Sequence, residues 1–197
     1  MKNLFGVPFW ACDNFLSDRT YQKLVGDIHL DLLNDYQNPG VNCSCKTSIH
    51  QKHNINYPLD EIGEEYEKFT IELGLTEHSY EIHAFWWNFY EQNTGQELHT
   101  HLGSIERRNE FAGVIFLDGC EETDLIFMNP SSQNLYFIDK QLYRKTEEQS
   151  FYYEQWAYQP KNNQLIIFPC TLQHYVSTHK CLEPRMTIAF NIRIETK

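Results

Sequence analysis

The sequence predicts a mainly β protein, in which two N-terminal helices pack outside one sheet of an antiparallel sandwich or barrel. Two observations predict this class. From residue 79 onward, short aromatic and β-branched runs alternate with turn residues such as Asn, Asp, Gly and Pro. Before residue 79, two segments repeat apolar residues at helical spacing. We therefore expect one domain over residues 1–197, with a helical part at about 17–74 and a β core at about 79–194.

Both helices are predicted from apolar spacing and from their end signals. The first begins after Ser17, a residue type that caps helices, and its apolar face carries Tyr21, Leu24, Val25, Ile28 and Leu32. The second runs from Leu59 to Leu73, where Gly74 ends it, and its apolar face carries Ile62, Tyr66, Phe69 and Leu73.

About eight strands are predicted in the remainder of the chain. Turn residues separate them, for example at Asp118-Gly119 and Asn129-Pro130. The predicted strands are 79–90, 96–102, 110–117, 124–128, 151–158, 164–168, 173–178 and 185–194.

Three histidines form the strongest functional pattern. His99 and His101 lie two residues apart in the predicted strand 96–102, and His174 follows 73 residues after His101. Residues i and i+2 of a strand project from the same face, so His99 and His101 can face one ion. A third ligand from a distant strand would leave positions on the metal open for substrate, oxygen or water. Imidazole suits iron, zinc, copper and nickel, so the pattern predicts a metal site without choosing the metal.

An arginine lies after the third histidine, at the start of the next predicted strand. Arg185 lies 11 residues after His174 and begins a segment in which residues 185, 187, 189 and 191 share one face. A guanidinium on this polar or small face, with Thr187 beside it, suits a bidentate grip on a carboxylate. We expect Arg185 to bind an anionic group near the metal.

The composition of the chain restricts the molecules that it can bind and the environment in which it works. The formal net charge of −11 argues against nonspecific binding to nucleic acid or to an anionic membrane. No apolar run resembles a signal peptide or a membrane span, so we expect a soluble protein. The six cysteines lack a framework spacing and are predicted to be reduced thiols, although Cys43-Ser-Cys45 is also considered as a metal or redox pair.

Five segments of the chain form a recognisable set. They are Leu4-Phe-Gly-Val-Pro-Phe-Trp10, Trp87-Asn88 with Gly95 and His99-Thr-His101, Phe111-Ala-Gly-Val-Ile-Phe-Leu117, Phe168-Pro-Cys-Thr-Leu-Gln-His174, and Arg185-Met-Thr-Ile-Ala-Phe-Asn191. Together they resemble the 2-oxoglutarate/Fe(II)-dependent oxygenases of bacteria and phages, a family with a double-stranded β-helix (jelly-roll) fold. The resemblance covers most of the chain, and the last two segments carry the most weight.

The resemblance implies roles for individual residues. His99 and His174 would bind Fe(II), Arg185 would hold the distal carboxylate of 2-oxoglutarate, and Thr187 would support it. The preceding strand would supply further contacts to the cosubstrate from Asn88 and Tyr90.

The implied activity is that of a dioxygenase in which 2-oxoglutarate and O2 are consumed at Fe(II). Succinate forms by decarboxylation, and an unidentified substrate is hydroxylated. The expected location is the cytoplasm of a bacterium or of an infected host cell.

The third metal ligand has three interpretations. In the wider superfamily an acidic ligand stands where this chain has His101. Either three neutral histidines bind the iron, or His101 points elsewhere and a halide fills the gap, as in related halogenases. The third interpretation is that Glu106, the nearest downstream acid, supplies a carboxylate from the adjoining loop.

Two other classes of protein fit part of the pattern. A cupin would use His99, His101, Glu106 and His174 as ligands, with Gly113 at the expected spacing, and would make Arg185 incidental. A binding module without catalysis would instead use an aromatic surface formed by Tyr152, Tyr153, Trp156 and Tyr158. The arginine on the last strand favours the oxygenase.

Overall fold

The structure is a computed structural model, and it describes residues 2–4, 6–34, 43–49, 55–75, 78–104, 107–119, 123–131 and 154–195. Two helices, α1 (Asp18–Asn34) and α2 (Leu59–Glu72), lie in the N-terminal part, as the apolar spacing predicted. The strands are β1 (Lys2–Leu4), β2 (Val7–Asp13), β3 (Lys46–Thr47), β4 (Ser79–Tyr90), β5 (Gln96–His99), β6 (Gly103–Ser104), β7 (Arg107–Arg108), β8 (Phe111–Phe116), β9 (Leu125–Met128), β10 (Gln155–Tyr158), β11 (Gln164–Pro169), β12 (His174–Val176) and β13 (Arg185–Glu195).

The helix ends follow the sequence signals. Ser17 Oγ accepts a hydrogen bond from the Thr20 amide at 3.3 Å, which satisfies one of the free amides of the first turn of α1. Gly74 has a φ of 73°, a left-handed conformation that glycine adopts without steric cost, and it follows directly after the last turn of α2.

Two antiparallel sheets form the β core. The larger has seven strands in the order β1-β2-β11-β8-β13-β4-β3, and the smaller has four in the order β10-β9-β12-β5. Most of the paired strands are not consecutive in the chain, for example β2 with β11 and β4 with β13, so the chain crosses repeatedly between the layers. This topology is that of a jelly-roll sandwich.

The larger sheet has apolar side chains on both faces. One face packs against α1 and α2, where Leu24, Ile28 and Phe69 meet β-strand residues such as Ile115 and Ile188. Both helices therefore lie on the outside of one sheet, as predicted.

The other face of the larger sheet packs on the smaller sheet. Phe9, Val114 and Phe116 of the larger sheet belong to one buried cluster with Phe127 and Val176 of the smaller sheet. The alternation of β13 follows from this arrangement. Met186, Ile188, Phe190 and Ile192 face the helices, whereas Arg185, Thr187 and Ala189 line a cavity between the sheets.

Several details differ from the strand prediction. The opening segment forms two short strands, β1 and β2, separated by Gly6 with a φ of 75°. The strand that was predicted to extend from 96 to 102 ends at His99. Residues 151–153 of a predicted strand lie outside the described ranges, and β10 begins at Gln155. No helix in the described ranges has the length and apolar character needed to cross a lipid bilayer.

Candidate metal centre

Three histidine rings meet at one end of the smaller sheet. His99 is the last residue of β5 and His174 the first of β12, and the two are directly opposite each other in the strand pairing. Their ring centroids lie 4.3 Å apart. The His101 ring lies 5.2 Å from that of His99 and 5.0 Å from that of His174.

His101 reaches this cluster in a different way from the one predicted. The strand ends before it, so the alternation of side chains along a strand does not place it. Instead, the His101 amide donates a hydrogen bond to the Cys170 carbonyl at 2.9 Å. The segment after β5 is thereby fixed against the end of β11, and the ring stacks on Trp86 with centroids 5.4 Å apart.

Hydrogen bonds at Nδ1 orient two of the rings. Nδ1 of His99 lies 2.7 Å from the Glu97 carbonyl, and Nδ1 of His174 lies 2.8 Å from the Leu172 carbonyl. A carbonyl oxygen can only accept, so Nδ1 carries the proton in both rings. The Nε2 lone pair is then free to bind a metal, and the outer hydrogen bond holds the ring in place.

His101 has the same arrangement with a side-chain partner. Its Nδ1 lies 3.0 Å from Oδ1 of Asn191, which is buried on β13. The His101 carbonyl also accepts a hydrogen bond from Asn109 Nδ2 at 2.6 Å. Both the ring and its backbone are therefore fixed, and Nε2 of His101 is also available as a ligand.

The surroundings of the rings favour the neutral form that binds metals. Burial lowers the pKa of His99, and burial together with the neighbouring His99 lowers the pKa of His101 to about 4. Burial, followed by the charges of His101 and His99, lowers the pKa of His174 well below its usual value. At neutral pH the site therefore presents unprotonated imidazoles, and a metal need not displace protons from them.

The donor set fits a metal with nitrogen ligands. One ligand atom from each of the three histidines lies within 4.8 Å of the other two, so the three imidazoles could hold one metal ion. Among the described residues, no carboxylate or thiol joins this group. Glu106, the alternative ligand, lies outside the described residues.

Arg185 occupies the same cavity and is 1% exposed. Its guanidinium carbon lies 5.2 Å from the centre of the Tyr90 ring and 5.5 Å from that of Phe116. One terminal nitrogen, Nη1, donates to the Thr123 carbonyl at 2.8 Å. Within the described part of the chain, Nε has no hydrogen-bond partner and the guanidinium has no carboxylate partner.

A buried charge without a partner is unfavourable, so an anion beside the guanidinium would be stabilising. The adjacent side chains offer polar atoms to such a ligand. Asn88 Nδ2 donates to Thr187 Oγ1 at 3.4 Å, whereas Asn88 Oδ1 has no partner among the described residues. Tyr90 directs its hydroxyl to Gln96 Oε1 at 2.9 Å.

These groups and the histidines line one small cavity between the sheets. The cavity wall contains Asn88, Tyr90, Arg185 and Thr187, and its described lining includes no acidic side chain. The structure thus brings together every site residue that the sequence predicted within the described ranges. The cavity combines three imidazoles that could hold a metal ion with a buried guanidinium.

Three contributors to the site were not predicted. Asn191 shares the predicted polar face of the last strand, so its position was visible in the sequence although its partner was not. Trp86, which stacks on His101, carried no distinguishing signal. Thr123 contributes a backbone carbonyl, a group that every residue has.

Comparisons with known proteins agree with this site. A family model described as "Putative 2OG-Fe(II) oxygenase" matches residues 84–191, more than half of the chain. The matched segment contains all three histidines, together with Asn88, Tyr90, Arg185 and Thr187. No curated protein sequence matches the chain.

Solved structures with a similar fold include two prolyl hydroxylases and HygX. A Pseudomonas putida prolyl-4-hydroxylase is 11% identical with a TM-score of 0.65, and the match covers 98% of this chain and 96% of that protein. A viral collagen prolyl hydroxylase from Paramecium bursaria Chlorella virus-1, in complex with 2-oxoglutarate, is 13% identical with a TM-score of 0.57, covering 98% and 99%. HygX from Streptomyces hygroscopicus, with nickel, 2-oxoglutarate and hygromycin B bound, is 9% identical with a TM-score of 0.57, covering 94% and 82%.

The predicted double-stranded β-helix with helices on one sheet is thereby confirmed. The family in general uses Fe(II), 2-oxoglutarate and O2. The sequence match, supported by the fold, leads to one conclusion: this chain belongs to the family of 2OG-Fe(II) oxygenases.

Proposed function

We propose that His99, His101 and His174 bind Fe(II) through Nε2, and that Arg185 holds the distal carboxylate of 2-oxoglutarate. One observation carries the proposal: three imidazoles with their Nδ1 atoms hydrogen-bonded line the same cavity as a buried guanidinium that has no anionic partner among the described residues. This metal site consists of three neutral ligands, with His101 at the position that is acidic in the wider superfamily.

The charges of the metal site and of Arg185 complement those of a dianionic cosubstrate. Three neutral imidazoles leave the full 2+ charge of the metal in a buried site, and Arg185 adds a further positive charge. A dianionic cosubstrate would offset both charges, with one carboxylate near the metal and the other at the guanidinium. A local cationic site thus explains how a chain of net charge −11 can bind an anion.

Arg185 would grip the distal carboxylate through its free edge. Nη1 donates to the Thr123 carbonyl, and Nε has no partner among the described residues, so the edge formed by Nε and Nη2 would make the bidentate contact. Thr187 and Asn88 line the same cavity as Arg185 and would add hydrogen bonds. Tyr90 would form part of the wall and pack against the guanidinium.

The reaction that we propose is hydroxylation of a substrate C–H bond. Bound Fe(II) supplies the oxidising chemistry, by which 2-oxoglutarate, O2 and the substrate become succinate, CO2 and hydroxylated substrate. The role of the chain is to orient the reactants and to exclude water. The apolar residues Val114, Leu125 and Val176 line the cavity and serve the second purpose.

A second, more open cavity would admit the substrate. It shares Trp86, His99 and His101 with the first cavity, and its other residues include Ile49 and Phe85. A substrate in this cavity would therefore approach the ligand histidines from a site continuous with the cosubstrate cavity. The neighbouring structures named above bind or act on different molecules, so they do not select a substrate class.

The cupin interpretation differs in the role of Arg185. A cupin would not require an arginine in the metal cavity, yet here the guanidinium is buried in that cavity. This placement favours the oxygenase. Glu106→Gln distinguishes the two metal sites, because severe metal loss would support a His/His/Glu/His cupin site and unaltered metal content would support coordination by histidines alone.

Anaerobic spectroscopy tests the proposal. Fe(II) and 2-oxoglutarate together should give the wild-type protein the weak visible charge-transfer band of the chelate. Arg185→Ala should weaken its formation, whereas Arg19→Ala, at an exposed position on α1, should not. Absence of the band in Fe(II)-loaded wild-type protein would refute the proposed function.

A further inference from the structure

The orientation of Arg185 depends on one backbone carbonyl. Thr123 is fully buried, and its carbonyl accepts the hydrogen bond from Nη1 at 2.8 Å. This contact holds one terminal nitrogen of the guanidinium and so restricts the orientation of the group. A group that holds Thr123 in place therefore also helps to orient the Arg185 guanidinium.

The side chain of Thr123 is held by a buried histidine outside the metal cluster. Its hydroxyl oxygen lies 2.6 Å from Nδ1 of His179, and Nε2 of His179 lies 2.7 Å from the Glu183 carbonyl. The Glu183 carbonyl can only accept, so Nε2 carries a proton. In the neutral imidazole Nδ1 then accepts from the Thr123 hydroxyl, and the neutral ring has one tautomer in this position.

Two hydrogen bonds also hold the backbone of His179. Its amide donates to the Thr94 carbonyl at 2.8 Å, and its carbonyl accepts from the Asn93 amide at 2.7 Å. Asn93 and Thr94 belong to the turn between β4 and β5, the two strands that carry Asn88 and His99. The histidine is therefore tied to the same strands that carry the proposed cosubstrate and metal residues.

We infer that His179 is a positioning residue for cosubstrate binding, acting through Thr123 on Arg185. This inference rests on the proposed function of Arg185. His179 is fully buried and is absent from the described lining of the cavity, so it would act without touching the cosubstrate. Its effect would be specific to the distal carboxylate, because the hydrogen-bonded path ends at the guanidinium.

A histidine that merely satisfied its own hydrogen bonds in the core would behave differently. Its loss would lower stability and would weaken binding of every 2-oxo acid to a similar extent. Loss of a positioning residue would weaken binding of 2-oxoglutarate but not of 2-oxobutanoate, which lacks the distal carboxylate. The ratio of the two dissociation constants therefore separates the two roles.

The experiment uses Thr123→Val, a substitution of similar shape that removes the donor to His179, with Thr123→Ser as the conservative control. Dissociation constants for 2-oxoglutarate and 2-oxobutanoate are measured on the anaerobic Fe(II) protein by the visible band and by calorimetry. Melting temperatures of the metal-free variants report folding. His179→Leu removes the same contact from the other side, and it serves as the second variant if Thr123→Val does not fold.

We expect Thr123→Val to raise the dissociation constant for 2-oxoglutarate by about tenfold, as loss of one buried hydrogen bond typically does. Binding of 2-oxobutanoate should be unchanged, and Thr123→Ser should retain wild-type discrimination. Equal weakening of both acids, or no weakening of either, would overturn the role of His179. If Arg185→Ala itself leaves the discrimination unchanged, the proposed function of Arg185 fails instead, so the two failures are distinguishable.

Discussion

His174 lies directly opposite His99 in the antiparallel pairing of β12 with β5, and their ring centroids are 4.3 Å apart. Directly opposite residues in such a pair bring their side chains close together on one face of the sheet. The pairing register therefore sets the distance between two of the three proposed metal ligands. The third, His101, is added by the segment that follows β5.

Removal of His174 should abolish tight metal binding. The His174→Ala variant loses a buried ligand, so metal affinity should fall by more than the ~10- to 100-fold that loss of an outer hydrogen-bond partner typically costs. Metal content after dialysis against Fe(II), and calorimetric titration with Zn²⁺, measure the effect. His29→Ala, at an exposed position on α1, is the matched control and should bind metal as the wild type does. Wild-type affinity in His174→Ala would exclude this residue as a ligand.

The regular elements were predictable because their patterns are local. Apolar spacing predicted both helices, and the alternation along β13 correctly separated the Arg185 face from the Met186 face. The short strands β3, β6 and β7 have two residues each, too few to produce a period. Such strands depend on pairing with a partner, which a local pattern does not reveal.

The site was predictable to the extent that residue type alone indicates chemistry. Histidines and an arginine stand out in a sequence, and the structure brings them together. Their supporting contacts do not stand out, since Asn191 and His101 are separated by 90 positions in the chain. Likewise, His101 lies next to the other histidines because of a backbone contact to Cys170, rather than because of the alternation of a strand.

Stability should fall in acid partly because of Glu65. Burial raises the pKa of this carboxyl, but hydrogen bonds from Lys68 and Trp10 outweigh that effect and hold the pKa below its usual value of 4.5. The carboxylate therefore contributes stability that is fully present above pH 4.5 and is lost as the pH falls through the lowered pKa. Urea unfolding between pH 3 and 7 should show a shallower loss for Glu65→Gln than for wild type.

Glu64→Gln is the control for this measurement. Glu64 is exposed on the same helix, so the substitution removes one negative charge without removing the hydrogen bond that Trp10 Nε1 makes with Glu65 at 3.0 Å. If Glu65→Gln and Glu64→Gln change the pH dependence equally, the hydrogen bonds at Glu65 do not contribute to acid stability.

Gly113 should not tolerate a side chain. A Cβ at this position would lie 2.1 Å from the ring of Phe190, which lies opposite Gly113 on the neighbouring strand β13. We expect Gly113→Ala to lower the free energy of unfolding by about 1–3 kcal/mol, the usual cost of overpacking a core. Gly26→Ala, in α1 with open space around it, should instead raise it by roughly 0.5–1 kcal/mol. Chemical denaturation measures the free energy of unfolding of both variants. A Gly113→Ala variant as stable as the wild type would contradict the close packing of Phe190 on Gly113.

Asn191 should control metal affinity without being a ligand. Its Oδ1 accepts a hydrogen bond from Nδ1 of His101 at 3.0 Å, which holds the ring with Nε2 toward the other histidines. Asn191→Leu removes the acceptor from a buried site and leaves the ring free to rotate, so metal affinity should fall by about 10- to 100-fold. Asn191→Asp keeps an oxygen at this position and should retain most of the affinity. Calorimetric titration of the metal-free proteins with Zn²⁺ compares the three. If Asn191→Leu binds Zn²⁺ as tightly as wild type does, the proposed His101 ligand does not depend on this hydrogen bond.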